Sequence, residues 1–260
     1  MTMVTVTING KMVRANDGEY LLNVLRREKI DIPTPCQHDA VEPYGACRLC
    51  MVEITKPEWK GWTDTVTSCL YPVADGLIVH THTQALIDLR KTLVDLMLAR
   101  SPQTPYVQNL AAQYGITHTT YTENKEPNDC ILCGICTRIC DTMGFSAISS
   151  VNRGHGREIA PPQHQSPPDC VGCLSCALNC PTNYIKFKDA GHTRKIWDKK
   201  FELLRDEKTG APTITREFAE HLVKHRNINP DYFRLNDESH RKELALSMGK
   251  IAQWSREGSK

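Results

Sequence analysis

The chain has 260 residues, a formal charge of +2, and 40% apolar against 24% charged residues. Those proportions describe a soluble protein of one to three domains, and so small a net charge argues against a nucleic-acid partner. The N-terminal stretch MTMVTVTING lacks the basic region and unbroken apolar run of a secretory signal, Arg26-Arg27 sits inside a helical pattern, and no segment nears the length of a transmembrane helix. Twelve cysteines are the departure from ordinary composition. The choice for them lies between disulfides in an oxidising compartment and thiolate ligands in a reducing one. The expectation is a cytoplasmic chain without a transmembrane segment, whose reduced thiols bind metal. Residues 191–260 carry a net charge of +4 and residues 1–190 a net of −2, an asymmetry read as solvated surface.

In chain order, residues 3–8 (MVTVTI) alternate like a strand and end at Asn9-Gly10, a type I′ hairpin signal, so a second strand returns over Lys11 to Ala15. Asp17 reads as the N-cap of a helix reaching Lys29, with Leu21, Leu22, Val24 and Leu25 as its apolar face. Pro33 and Pro35 impose extended backbone up to Cys36. Strands follow at Met51 to Ile54 and, after a turn at Asp75-Gly76, at Leu77 to His80. The result is a small mixed sheet on one helix. From Gln84 to Ala99 the pattern is helical, with Leu86, Leu89, Leu93, Leu96 and Met97 on one face and Asp88, Arg90, Lys91 and Asp95 on the other. This reads as a connector helix covering the first domain, ended by Ser101-Pro102. Arg153 to Pro168, rich in Gly and Pro, reads as a surface loop. The last 70 residues are charged, with helical stretches near 216–225 and 238–253.

The cysteines fall into three groups of four: Cys36, Cys47, Cys50 and Cys69; Cys130, Cys133, Cys136 and Cys140; Cys170, Cys173, Cys176 and Cys180. The second and third groups repeat the spacing C-x2-C-x2-C-x3-C of the two-cluster bacterial ferredoxin. A tight loop presents three thiolates to three corners of a cube, and the fourth corner is reached from elsewhere. One [4Fe–4S] cluster is therefore expected on Cys130, Cys133, Cys136 and Cys180, the other on Cys170, Cys173, Cys176 and Cys140. Structural zinc sites instead pair two C-x2-4-C or H-x3-5-H units. The first group, C-x10-C-x2-C-x18-C, shares a central C-x2-C and a distant fourth cysteine with plant-type [2Fe–2S] ferredoxins but has a wider first gap. Cys36-Gln37-His38 looks like half a Rieske motif; a cysteine stands where the second histidine is needed, so His38 reads as a loop residue. Gly45 and Ala46 are small and let backbone N–H groups approach sulfur.

PYGACRLCMVEI (43–54) followed by TSCLYPVADGLIVHT (67–81) resembles the N-terminal [2Fe–2S] domain of the complex I large iron–sulfur subunit. The stretch is also similar to the diaphorase iron–sulfur subunit of NAD-linked nickel–iron hydrogenases and to the N-terminal regions of iron-only hydrogenases and NAD-dependent formate dehydrogenases. The resemblance covers roughly residues 1–190. It implies an α+β architecture: a β-grasp [2Fe–2S] domain (1–81), a helical connector (82–121), a (βαβ)2 domain with two [4Fe–4S] clusters (122–190), and a charged, helical C-terminal extension (191–260). It also implies that Cys36 and Cys47 hold one iron of the [2Fe–2S] cluster, and Cys50 and Cys69 the other. Relatives usually carry an intervening cluster on one histidine and three cysteines; residues 100–129 offer His118 but no cysteine, so that cluster is missing.

There is no G-x-G-x-x-G and no P-loop, and no cysteine remains for a hydrogenase or molybdopterin centre. His221 and His225 lack the glutamate of a zinc-protease helix and read as surface residues. The expected function is that of a subunit without catalysis of its own. It passes single electrons through one [2Fe–2S] and two [4Fe–4S] clusters, between a flavin/NAD(H)-binding partner and a catalytic partner such as a hydrogenase or formate dehydrogenase. The alternative is the iron–sulfur subunit of a quinone-linked, heterodisulfide-reductase-like or aromatic acyl-CoA reductase complex. A succinate or fumarate oxidoreductase fits poorly, because its first gap is short and its last motif builds a three-iron cluster.

Overall fold

Val4, Val6 and Ile8 point to one side of β1 (Met3–Ile8) and are buried there, as the alternation requires. A computed structural model describes residues 2–123 and 128–257. Asn9 and Gly10 both take positive φ (48° and 84°), and β2 (Lys11–Asn16) returns antiparallel with Ile8 opposite Lys11. With β3 (Met51–Thr55), β4 (Asp64–Thr67) and β5 (Ile78–His80) these strands form one sheet in the order β2-β1-β5-β3-β4. Only the β1–β5 pairing in it is parallel. Helix α1 (Leu21–Arg27) buries Leu21, Leu22, Val24 and Leu25 against this sheet.

Asp17 does not cap α1. The chain turns at Gly18 (φ 78°), and the helix begins only after Tyr20. Its first N–H groups are satisfied by tertiary partners instead: Leu21 N–H donates to the Tyr71 carbonyl and Leu22 N–H to the Ser68 carbonyl, both at 2.9 Å. The segment that carries Cys69 thus caps the helix.

Helix α2 (Gln84–Arg100) matches the expected span, with Thr83 as N-cap and Ser101 as C-cap. Its inward face differs. The buried stripe runs Leu86, Arg90, Val94, Leu98, while Leu96 is exposed. Arg90 and Asp95, expected on the solvent face, are inside. Arg90 finds the carbonyls of Leu49 and Met51, and Asp95 accepts from Thr119 and Thr120. Buried polar groups are tolerable only when so partnered. Burial pushes the Asp95 carboxyl up, but these hydrogen bonds win and hold it below its ordinary value. Proline at its first position starts a further helix, α3 (Pro105–Gln113), which packs on α2.

Beyond residue 128 come α4 (Ile135–Thr142), a hairpin of β6 (Ser149–Val151) and β7 (Glu158–Ala160), and the short α5 (Ser175–Leu178), which lies against α4. The Gly- and Pro-rich stretch expected as loop therefore holds one strand, with Ile159 and Ala160 buried. A strand preceding the first cysteine run, which a (βαβ)2 unit needs, would fall at 124–127, outside the described residues.

The C-terminal region departs most from expectation. It is not only helical: β8 (Phe187–Ala190), β9 (Thr193–Ile196), β10 (Lys199–Arg205) and β11 (Pro212–Thr215) form an antiparallel sheet in the order β11-β10-β9-β8. Helices α6 (Arg216–Arg226) and α7 (Asp237–Glu257) follow, close to the expected stretches. The strands escape notice in the sequence because lysine and arginine interrupt β8 to β10; the large apolar residues they bury fully are Ile196, Phe201 and Leu203.

Candidate metal centres

The four cysteines of the first group are buried. Cys36 follows the extended Pro33–Pro35 segment, and Cys47 and Cys50 sit in the loop entering β3. Cys69 follows β4. The Cys47 thiol beside Cys36 pulls Cys36 down to about 6, and Cys69 does the same for Cys50, also to about 6. The donating thiols Cys47 and Cys69 are pushed up by the same contacts. The thiols in contact are Cys36 with Cys47 and Cys50 with Cys69. Backbone N–H groups of Ala46 and Cys47 both reach Cys36 Sγ, which is what small residues before Cys47 permit. Gly45 (φ 69°) turns the chain there in a conformation that glycine adopts without strain.

The loop from Cys47 to Met51 is pinned from below by Arg90. Its Nε donates to the Leu49 carbonyl at 3.0 Å and Nη2 to the Met51 carbonyl at 2.7 Å, with the side chain almost wholly buried. His38 is half-buried, and its Nδ1 accepts from Ala40 N–H at 3.2 Å, a local loop contact.

The two later groups show the same backbone turned twice. Leu132 and Gly172 occupy equivalent positions with φ 55° and 68°, as do Gly134 and Leu174 with φ 69° and 65°. Left-handed residues between cysteines turn N–H groups inward, forming a concavity suited to anionic sulfur. Leu132 N–H donates to Cys130 Sγ at 3.4 Å, Ala147 N–H to Cys140 Sγ at 3.3 Å and Tyr184 N–H to Cys180 Sγ at 3.3 Å. Gly172 N–H reaches Cys170.

The fourth cysteine of each run lies near the first three of the other. Burial raises the Cys130, Cys133 and Cys136 thiols, Cys133 to about 11, and all three also feel the charge of Cys180. On the other side, Cys170 and Cys176 feel the charge of Cys140, and burial pushes Cys176 up to about 12. A small cavity is lined by Cys140, Cys170, Cys173 and Cys176, with Phe145 and Trp197 among its apolar walls. Soft thiols in fours, apolar walls and inward N–H donors are the donor chemistry of iron–sulfur clusters. A mononuclear zinc would need ligands about 2.3 Å from one point. Among the described residues no three His, Cys, Asp or Glu side chains converge on a single ion position.

The three groups stand in contact. Cys36 and Cys47 share one apolar core with Cys133, Ile135 and Ile139, and the charge of Cys36 reaches Cys133. The charge of Cys176 reaches Cys136. Val107, Leu110 and Ala111 of α3 pack into that first core. His118, which follows α3, is exposed. Two arginines tie the units together. Arg138 of α4 donates to the Cys36 and Glu42 carbonyls, both at 2.6 Å, and lies 5.3 Å from the centre of the Tyr44 ring. Arg100 of α2 donates to the Cys130 carbonyl at 2.7 Å. Neither was legible in the sequence, where a lone arginine on a helix looks like solvated surface. Nor was His221, whose ring lies 4.4 Å from that of Phe145 at a tilt of 56°.

Residues 1–84 match the family described as 2Fe-2S iron-sulfur cluster binding domain. Over 216 residues the chain is 28% identical to the NADP-reducing hydrogenase subunit HndD of Solidesulfovibrio fructosivorans, covering 71% of this chain and 36% of that one. It is 30% identical over 219 residues to the alpha subunit of the NADPH-Fe(3+) oxidoreductase of Geobacter sulfurreducens, covering 75% and 25%. With a subunit of the NADH-quinone oxidoreductase of Rhizobium meliloti it shares 25% identity over 222 residues, covering 75% and 25%. The chain therefore spans about a quarter to a third of the length of these relatives. Among solved structures, a chain of the NAD+-reducing [NiFe]-hydrogenase in the H2-reduced state has the same fold at a TM-score of 0.54 and 24% identity, over 61% of this chain and 74% of that one. The N-terminal third is thus a 2Fe-2S iron–sulfur cluster binding domain, in a chain similar to subunits of an NADP-reducing hydrogenase and of NADH-quinone oxidoreductase.

Proposed function

We propose that this chain is an electron-transfer subunit of a multisubunit oxidoreductase, with no catalytic centre of its own. It would hold a [2Fe–2S] cluster on Cys36, Cys47, Cys50 and Cys69 in a β-grasp domain. Two [4Fe–4S] clusters would sit in a (βαβ)2-like unit, one on Cys130, Cys133, Cys136 and Cys180 and the other on Cys170, Cys173, Cys176 and Cys140. The observation that carries this reading is the continuity of the three thiol groups, Cys36 beside Cys133 and Cys136 beside Cys176. Bound clusters supply one-electron exchange. The chain supplies spacing, dryness and hydrogen bonds to sulfur. Arg138 and Arg100 hold the carbonyls of Cys36 and Cys130, so the first two groups keep a fixed separation. Cys140, Cys170, Cys173, Cys176 and Cys180 are only half-buried, whereas the other seven are buried. The third group is therefore the one nearest solvent, where a partner would exchange electrons. Partners would be a flavin/NAD(H)-binding subunit and a catalytic subunit. The chain would work in the cytoplasm; among the described residues no helix is long and apolar enough to cross a membrane.

Anaerobically prepared protein is expected to contain about ten irons, two plus four plus four. Elemental analysis near six or two would refute the assignment. Cys69→Ala is expected to erase only the [2Fe–2S] signal in electron paramagnetic resonance. Loss of the [4Fe–4S] signals would show that the grouping is wrong. Turnover of NADH with a dye by the chain alone would mean that a nucleotide site exists in it.

A further inference from the structure

The C-terminal extension packs on the third cysteine group through several independent contacts. Lys199 Nζ donates to the carbonyls of Pro168 and Cys170, both at 2.7 Å. Arg194, itself paired with Asp189, donates through Nη1 to the Gly172 carbonyl at 3.0 Å. The Thr215 hydroxyl donates to the Val171 carbonyl. Gly172 fits so closely under this sheet that a Cβ there would lie 2.8 Å from Phe201 Cδ2 and 2.9 Å from Thr215 Cγ2. Between β9 and β10 the chain reverses through Trp197 and Asp198, both at positive φ (52° and 57°). That turn places the Trp197 ring in the wall of the cavity lined by Cys140, Cys170, Cys173 and Cys176.

The Trp197 indole Nε1 is buried there and no protein atom accepts its hydrogen at hydrogen-bonding geometry. Such orphan donors are costly, so a native structure keeps them only where an acceptor is supplied. Cys176 Sγ is its polarisable neighbour in the same cavity wall. An inorganic sulfide or cysteine sulfur of a cluster filling the cavity would be the missing acceptor.

We propose that the β9–β10 hairpin is a built-in cover of the third group, whose Trp197 N–H donates to a sulfur of the bound [4Fe–4S] cluster and raises its reduction potential. This rests on the two-[4Fe–4S] reading above. The sign follows from charge: the reduced cluster carries one more negative charge, so a donor aimed at its sulfur stabilises that state more. The extension thereby acts as a potential-setting element as well as a surface, and Trp197 is a positioning residue that never exchanges the electron itself.

The test uses the full anaerobic chain with Trp197→Phe, which keeps an aromatic ring in the cavity wall and removes the N–H with the five-membered ring. At a fixed ambient potential the reduced-to-oxidised ratio of one [4Fe–4S] cluster is expected to fall about tenfold, a shift of about 60 mV for one electron. The other [4Fe–4S] cluster and the [2Fe–2S] cluster should titrate as in the wild type. Unchanged titration at full iron content would overturn the proposal. Should the variant lose iron, the wild-type chain decides with 15N-indole tryptophan. One of its four tryptophans should show hyperfine coupling to the reduced cluster, and the absence of any coupling rejects the hydrogen bond. A wild-type chain that binds only two irons would refute the two-[4Fe–4S] reading, and the proposal with it.

Discussion

Cys180→Ala is expected to remove a cluster from the first cysteine run, forty residues upstream, and to leave the run in which it lies intact. Cys180 sits among Cys130, Cys133 and Cys136, whose thiols feel its charge, while Cys140 takes the corresponding place beside Cys170 and Cys176. With three of four corners held, a cubane loses its anchor, and iron should fall from about ten to about six. The position of the loss is readable. The first run adjoins Cys36, so its reduced cluster should broaden the [2Fe–2S] resonance, and that broadening should vanish in Cys180→Ala and persist in Cys140→Ala. The reverse pattern would show that each run binds its own four cysteines.

Arg90→Met is expected to cost about 2–6 kcal/mol, since two buried carbonyls, of Leu49 and Met51, lose their donors at about 1–3 kcal/mol each. Methionine fills similar volume and leaves no uncompensated charge, so the deficit reads the orphaned acceptors rather than a cavity. Burial already lowers the Arg90 pKa from its ordinary value, a sign of how far that guanidinium is removed from water. The same carbonyls border Cys50, and the [2Fe–2S] signal should weaken as the loop loosens. Chemical denaturation of the iron-loaded protein gives the stability change. A midpoint within error of the wild type would mean that water or backbone movement satisfies both carbonyls.

Legibility followed the range of the interaction. The hairpin at Asn9-Gly10 and the ends of α2 were readable because each depends on residues within one turn of the chain. The inward face of α2 was not: a row of leucines suggested one stripe, but Arg90 and Asp95 found partners near Leu49 and Thr119 that no helical periodicity could announce. The α1 cap failed for the same reason, since the carbonyls of Ser68 and Tyr71 took the place assigned to Asp17. Strands β9 and β10 were hidden by their own charge, because a two-residue alternation carrying only Ile196, Phe201 and Leu203 inward looks like a polar tail.

Cysteine spacing by itself determined that this protein gathers thiolates in threes within seven residues, because a short loop can close on one inorganic corner set without help from the rest of the fold. Tertiary structure decided the remainder: the close approach of Cys133 to Cys36 with α3 packed alongside, the arginines that hold that approach, and the burial of an indole donor against the last group. These depend on segments tens of residues apart meeting in a dry interior, where an unpaired carbonyl or N–H is expensive enough to dictate its neighbour.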